Sequence, residues 1–179
     1  MPYISEISTT APEKGTNGTK DKVFQILDKL HISYERVEND VVETMEECRE
    51  IDAVLGTEIQ KSIFLSNQKK TSFFLIVMPA EKQLDTAALE KKLGVGHLSF
   101  ASAEMMEKYL GSKPGSASVM GLVNDEEEYV QLVMDREVAE NEWFGCNPGI
   151  NTDHLKIKTS DLLNKFLPHI YHKAKVIEL

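Results

Sequence analysis

The sequence predicts a mixed α/β protein, a sheet of mixed strand direction with helices packed around it. Helical and strand periodicities follow one another irregularly, without the strict alternation that builds a doubly wound parallel fold. Residues 73–78, Phe-Phe-Leu-Ile-Val-Met, are apolar at every position, which suits a central strand covered on both faces. A chain of 179 residues, 41% hydrophobic and 27% charged, fits one soluble domain with a substantial core.

Residues 1–18 are rich in Ser, Thr, Gly and Pro and carry no hydrophobic period, so they read as a flexible tail ahead of a single domain over 19–179. Behind Thr19, a candidate N-cap, Val23, Ile26, Leu27 and Leu30 recur at helical spacing up to His31. A strand over 33–37 follows. Thr44-Met45-Glu46-Glu47 has the form of a capping box, opening a helix whose stripe is Met45, Cys48, Ile51 and Leu55 and whose stop is Gly56.

Residues 62–66 and 71–78 read as a hairpin across Asn67-Gln68-Lys69-Lys70. Helices follow over 85–93, closed by Gly94, and over 102–110, capped by Ser102 and closed by Gly111. Residues 119–123 and 129–134 read as a second hairpin-like pair across Asn124 to Glu128. Further strands are expected over 142–145 and 155–158, and a last helix over 161–167, halted by Pro168.

Composition narrows the function. No apolar run reaches the ~18 residues of a membrane helix, and the first residues lack a basic-then-apolar export pattern, so a cytoplasmic protein with no membrane partner is expected. A net charge of −9 argues against broad phosphate contact and against DNA as a partner. A local basic rim from Lys61, Lys69, Lys70, Lys113, Lys156 and Lys158 remains open, as does the reading of these lysines as solvated surface. Cys48 and Cys146 are too far apart in sequence for a C-x-x-C site and read as reduced thiols.

Three segments could carry chemistry. Gly111-Ser112-Lys113-Pro114-Gly115-Ser116 starts where a helix ends and leads toward a strand, a place where main-chain N–H groups can converge on a developing oxyanion. The same residues also make an ordinary helix cap and Pro-Gly turn. Lys61 stands just before an apolar strand, where it is either solvated or faces a cleft. Asn147-Pro148-Gly149-Ile150-Asn151 is a good turn former whose two carboxamides could position a substrate. Rival sites are weaker: Cys146 with His154 as nucleophile and base, His169 with His172 as metal ligands, and the solvated run Glu126-Glu127-Glu128.

Together, Gln60-Lys61-Ser62-Ile63-Phe64-Leu65, the Gly111 to Leu122 segment (G-x-x-x-P-G-x-x-S-x-x-G-L) and Asn147 to Asn151 resemble the YbaK/prolyl-tRNA-editing superfamily over roughly residues 20–179. The resemblance implies a mixed sheet curled toward a barrel and hydrolysis, without metal or cofactor, of the ester of a mischarged tRNA. The closest likeness is to freestanding proteins that clear alanine from tRNA(Pro), with cysteine and other small residues as alternatives. It further implies a catalytic set of Lys61, Gly111, Pro114, Gly115, Asn147 and Asn151. Lys61, Ser62, Lys113, Ser116, Ser118, Met120 and Pro148 would contact the acceptor end carrying the small amino acid. Many members have His where this chain has Asn147, so an imidazole base at that point is missing. A positioned water and the substrate's own ribose hydroxyl would then carry the reaction. The alternative is a non-catalytic amino-acid or tRNA-end binding module of the same fold.

Overall fold

The computed structural model describes residues 2–15 and 17–179. The sheet is split in two. β1 (Tyr34–Glu38), β7 (Asp153–Lys158) and β6 (Trp143–Cys146) form an antiparallel sheet in the order β1-β7-β6. β2 (Lys61–Asn67), β3 (Phe73–Met78), β4 (Leu98–Phe100), β5 (Val130–Asp135) and β8 (Ala174–Ile177) form the other, in the order β4-β2-β3-β5-β8. β2 pairs antiparallel with β3 and β4, whereas β3–β5 and β5–β8 are parallel. The sheets do not close into a barrel, which corrects the curled sheet implied by the resemblance. Among the described residues they meet through one parallel bridge, Ile59 to Gly145, where the Gln60 N–H donates to the Gly145 carbonyl at 3.0 Å. A Cβ at Gly145 would stand 2.7 Å from the Glu58 carbonyl oxygen, so only glycine allows this approach.

β3 is buried at every residue, as its apolar run requires. One face joins the main core with Phe64, Phe144 and the helices α1 (Gly18–Lys29) and α4 (Ala103–Leu110); the other packs on Leu89 of α3 (Thr86–Leu93). Full burial of side chains such as Phe73 and Phe74 is worth roughly 2–3 kcal/mol each. A third cluster, with Val37, Val42 and Ile59, lies under α2 (Arg49–Leu55).

Local structure departs from the sequence reading in several places. Asn17, not Thr19, caps α1, its side chain accepting from the Lys20 N–H; the Thr19 hydroxyl instead donates to the Gly111 carbonyl at 2.9 Å. Residues 119–124 form a 3-10 turn rather than a strand, because Ser118 caps it and Gly121 packs so tightly on Leu110 that a Cβ would lie 2.6 Å from the Leu110 carbonyl oxygen. β5 therefore has no hairpin partner there and pairs with β3. The C-terminal helix runs through α6 (Thr159–Asp161), a π turn (Leu162–Phe166) and α7 (Leu167–His169) and so passes Pro168 by one residue; the π turn, a local break in the regular α-helical bonding, directly precedes the short α7 that holds the proline. β4, β8 and α5 (Arg136–Glu140) were not anticipated.

The composition of residues 1–18 suits a loose tail, but main-chain bonds hold part of it along β1. Ser5 and Ser8 donate to the Glu38 and Arg36 carbonyls at 2.8 and 2.9 Å, and the Arg36 Nε–H donates to Thr10 O at 2.7 Å. Met1 and Thr16 of that stretch lie outside the described residues. Lys20 of α1 also reaches Asp153 at 2.7 Å; burial raises that carboxyl's pKa, and Lys20 pulls against the rise.

Candidate active site

The seam between the sheets opens into a cavity of about 440 Å³. Lys61 and Ser62 line it from the start of β2, Pro114, Gly115 and Ala117 from the loop after α4, and Asn147 and Asn151 from the turn after β6. All three segments singled out in the sequence therefore reach one hollow.

Each is fixed by local chemistry. Gly111 ends α4 in the left-handed conformation, φ 58°, and a Cβ there would fall 2.3 Å from Asn124 Nδ2 and 2.4 Å from Thr19 Oγ1. Asn124 in turn donates to Thr19 Oγ1 at 3.0 Å, so α1 and the 3-10 turn clamp the loop at its root. Within the loop Ser116 N–H closes a turn onto the Lys113 carbonyl at 3.0 Å. Among the described residues, the N–H groups of Gly115 and Ala117 have no acceptor in the protein, which suits donors to an oxyanion.

The Asn147 carboxamide oxygen accepts from Gly149 N–H at 2.8 Å, and the Ser118 hydroxyl donates to the Asn147 carbonyl at 2.7 Å. Gly149, φ 105°, lies so close to Thr19 that a Cβ would approach its Cγ2 to 2.5 Å. The same residue, Thr19, thus positions both the Gly111 loop and the asparagine turn. The Lys61 ammonium donates to the carbonyl of Lys82, a residue that does not itself line the cavity.

Other expected contacts fall elsewhere. Gly111, Lys113 and Ser116 line a neighbouring cavity that shares Pro114 and Asn151 with the first. Ser118 and Met120 are buried, the latter wholly within the core, and Pro148 is buried in its turn, so these three line neither cavity. The six lysines do not converge: Lys156 and Lys158 flank Trp143, their ammonium groups 4.9 and 5.9 Å from its ring centre.

The wall also includes residues that the sequence did not single out for the site, among them Val42, Met45, Ile59, Phe100, Ala101 and Met106, together with Gln60 of the Lys61 segment and His154, weighed in the sequence only as a base for Cys146. His154 is buried, its Nδ1 2.9 Å from Asn39 Oδ1. Asn39 Nδ2 donates to the Asp40 and Asn151 carbonyls at 2.7 and 3.0 Å, which leaves Oδ1 as the acceptor and puts the proton on His154 Nδ1. Burial lowers the pKa of His154 to about 4, so the ring is neutral near pH 7.

The rival sites dissolve. Cys146 does not line the cavity, and burial pushes its thiol up to about 12, removing it as a nucleophile. His172 is engaged at both nitrogens, by Asp125 at 3.0 Å and the Ile170 carbonyl at 2.6 Å, and no metal-binding cluster exists among the described residues. Glu126, Glu127 and Glu128 are exposed, as a solvated turn requires.

The sequence matches the family model of the aminoacyl-tRNA editing domain over residues 39–165, a stretch that contains every cavity segment. The chain belongs to that family. It is 32% identical over 160 residues to the prolyl-tRNA editing protein ProX of Acetoanaerobium sticklandii, covering 89% of this chain and 97% of that one. It is 27% identical to the prolyl-tRNA synthetase associated domain-containing protein 1 of Danio rerio, over 88% of this chain and 86% of that one. The fold matches a crystal structure described as a candidate trans-editing enzyme for prolyl tRNA synthetase, with a TM-score of 0.66 at 18% identity, covering 92% of this chain and 98% of the other.

Proposed function

We propose that the protein is a trans-acting deacylase that hydrolyses tRNA(Pro) mischarged with a small amino acid, alanine foremost. The observation that carries this reading is the meeting of Lys61, the Pro114-Gly115 loop, Asn147 and Asn151 around one cavity. The family membership and the editing relatives support it.

In the reaction a water oxygen bonds to the ester carbonyl carbon, the bond from that carbon to the terminal ribose oxygen breaks, and a proton passes to the departing oxygen. Gly115 and Ala117 N–H groups stabilise the charge that gathers on the carbonyl oxygen, each such donor lowering the barrier by roughly 3 kcal/mol. Lys61 neutralises charge at the terminal nucleotide, a task suited to a compact ammonium. Asn147 and Asn151 hold the reacting end. His154, held to about 4, is too weak a base to drive the step, so the proton route passes through the neighbouring ribose hydroxyl.

A separate editing site has a physical reason to exist. A synthetase pocket built for proline gains only about 1–3 kcal/mol from the methylenes that a smaller residue lacks, too little for strong rejection. The test is a panel of tRNA(Pro) carrying alanine, cysteine or serine, incubated with substoichiometric protein. Turnover of the alanine ester ahead of the others supports the reading. Saturable binding with no release of any amino acid would instead assign the chain as a binding module.

A further inference from the structure

The neighbouring cavity, about 640 Å³, has no part in the mechanism above, although it meets the first along Glu43, Pro114 and Asn151. The first turn of α1 opens onto it through Gly18 and Thr19. The Asn17 side chain takes the Lys20 N–H, and the N–H groups of Gly18 and Thr19 have no acceptor among the described residues. A helix of twelve residues therefore presents free donors, and the positive end of its dipole, to this hollow.

An independent observation points the same way. Ser116 is 6% exposed and lines the cavity, and its hydroxyl makes no hydrogen bond among the described residues. Unlike the Ser112 hydroxyl, which is sealed off, it keeps open surface and can be reached from the cavity. Two ammonium groups complete the set. Lys22 Nζ donates to Asn124 Oδ1 at 3.3 Å, which places it at the wall beside the root of the Gly111 loop, and Lys113 lines the cavity from the loop itself. Neither forms an ion pair among the described residues. Glu43 and Glu107 also line the cavity, but both are exposed, so water and salt screen them.

Main-chain N–H groups, a free hydroxyl and two ammonium groups are all donors, and the ligand that complements them is a phosphate. We infer that this cavity is a phosphate subsite, in which the Gly18 and Thr19 N–H groups, the Ser116 hydroxyl, Lys22 and Lys113 hold a phosphodiester of the unpaired RNA strand just upstream of the terminal nucleotide. This inference rests on the proposed function and deepens it. Successive residues of one loop serve the two cavities in turn: Gly115 and Ala117 line the first, and Ser116 between them lines the second. Anchoring the strand on one side of the loop thus sets the ester against the N–H donors on the other, so that a contact remote from the reacting bond positions it.

The test compares Ala-tRNA(Pro) with 3′-O-alanyl-adenosine, which keeps the reacting ester and has no phosphodiester. Wild-type protein should favour the tRNA ester in kcat/KM. In the double variant Lys22→Met, Lys113→Met, two exposed positions, the ratio of kcat/KM for the two esters should fall roughly 10-fold, as for one lost hydrogen bond to a charged group. The fall should lie in KM for the tRNA, and the slope of log KM against log salt should flatten by about 0.7, the share of one single-strand phosphate contact. An unchanged ratio overturns the inference while leaving the deacylase reading intact. A binding arm, by calorimetry, uses the 5′-phosphorylated trinucleotide pCpCpA and inorganic phosphate. The trinucleotide should bind wild type more tightly than the double variant, with phosphate a weak competitor. Equal affinity of the two proteins for pCpCpA, or phosphate that binds wild type as tightly as the trinucleotide, overturns the subsite. Wild-type protein that cleaves neither ester overturns the deacylase reading, and the trinucleotide affinities then decide the subsite on their own.

Discussion

Replacing His154 by Gln should change how stability depends on pH, and the size of the change follows from burial. The ring sits neutral inside the protein with its pKa lowered to about 4, against 6.5 for an ordinary histidine. On acidification the unfolded chain takes up a proton at this residue through pH 6.5, and the native state resists until about pH 4. The stability that His154 contributes is therefore complete above pH 6.5 and is lost between pH 6.5 and 4. At 1.36 kcal/mol per tenfold change in proton affinity, the full loss is about 3 kcal/mol, most of it complete by pH 4.5. Asp52 works in the opposite direction in the same window. Burial, with Glu58 adding to it, raises that carboxyl to about 6, so its protonation in the native state adds stability as the pH falls. For this reason the informative quantity is the difference between wild type and variant, in which Asp52 cancels. Urea melts at pH 7.5 and pH 4.5 should show wild type losing about 2–3 kcal/mol more than His154→Gln over that interval. A wild-type-to-variant difference that stays constant to within about 0.5 kcal/mol would refute the neutral, buried imidazole.

Gly145→Ala should cost about 1–3 kcal/mol in urea unfolding, since its Cβ would strike the Glu58 carbonyl at 2.7 Å, while Gly96→Ala, with nothing within 4 Å, should stay within about 0.5 kcal/mol of wild type. Thr19→Val, which keeps the shape and removes the hydroxyl shared by Gly111 and Asn124, should lower stability by about 1–2 kcal/mol and reduce kcat more than it raises KM; an unchanged kcat in a destabilised variant would sever the clamp from catalysis. Burial holds the Cys48 and Cys146 thiols up near 11 and 12, so a thiol reagent at pH 8 should label both cysteines in urea and neither in the folded protein.

The parts of this fold legible in the sequence were those whose cause is local. Gly56, Gly94 and Gly111 each end a helix in the left-handed conformation, and the Thr44 and Glu47 side chains do exchange hydrogen bonds with the main chain around residues 43–47, although regular helix begins only at Arg49. The run at 73–78 gave a strand buried on both faces because six apolar side chains in succession, too few for a typical helix and bounded by Lys70-Thr71-Ser72 and Pro79, suit a central strand. Where the cause was distant, the reading failed. β8 alternates Ala174, Lys175, Val176 and Ile177 without a strong pattern and exists through parallel pairing with β5 about forty residues earlier. Residues 119–124 look like a strand because they are apolar and partly β-branched, yet a close contact with Leu110 tightens them into a 3-10 turn.

The site divides in the same way. Its glycine loop and asparagine turn carried a signal because strained or tight backbone demands particular residues. Gln60 entered only as part of the Lys61 segment and His154 only as a base for Cys146, and neither showed in the sequence as part of the cavity wall. A glutamine before a strand and a histidine within one are ordinary, and only the docking of β7 on β1 brings His154 against Asn39 and into the cavity wall.

Lys61, the Gly115 loop and the two asparagines must act as one hydrolytic site if the protein is a deacylase. Multiple-turnover release of alanine from Ala-tRNA(Pro), measured for wild type and Lys61→Ala beside Pro-tRNA(Pro), tests it directly. Many turnovers per wild-type molecule, an intact prolyl ester, and a fall of roughly 100-fold or more for a Lys61→Ala protein that melts like wild type are expected. A folded Lys61→Ala protein with full activity, or a wild-type protein that binds Ala-tRNA(Pro) and never releases alanine, would contradict a single hydrolytic site.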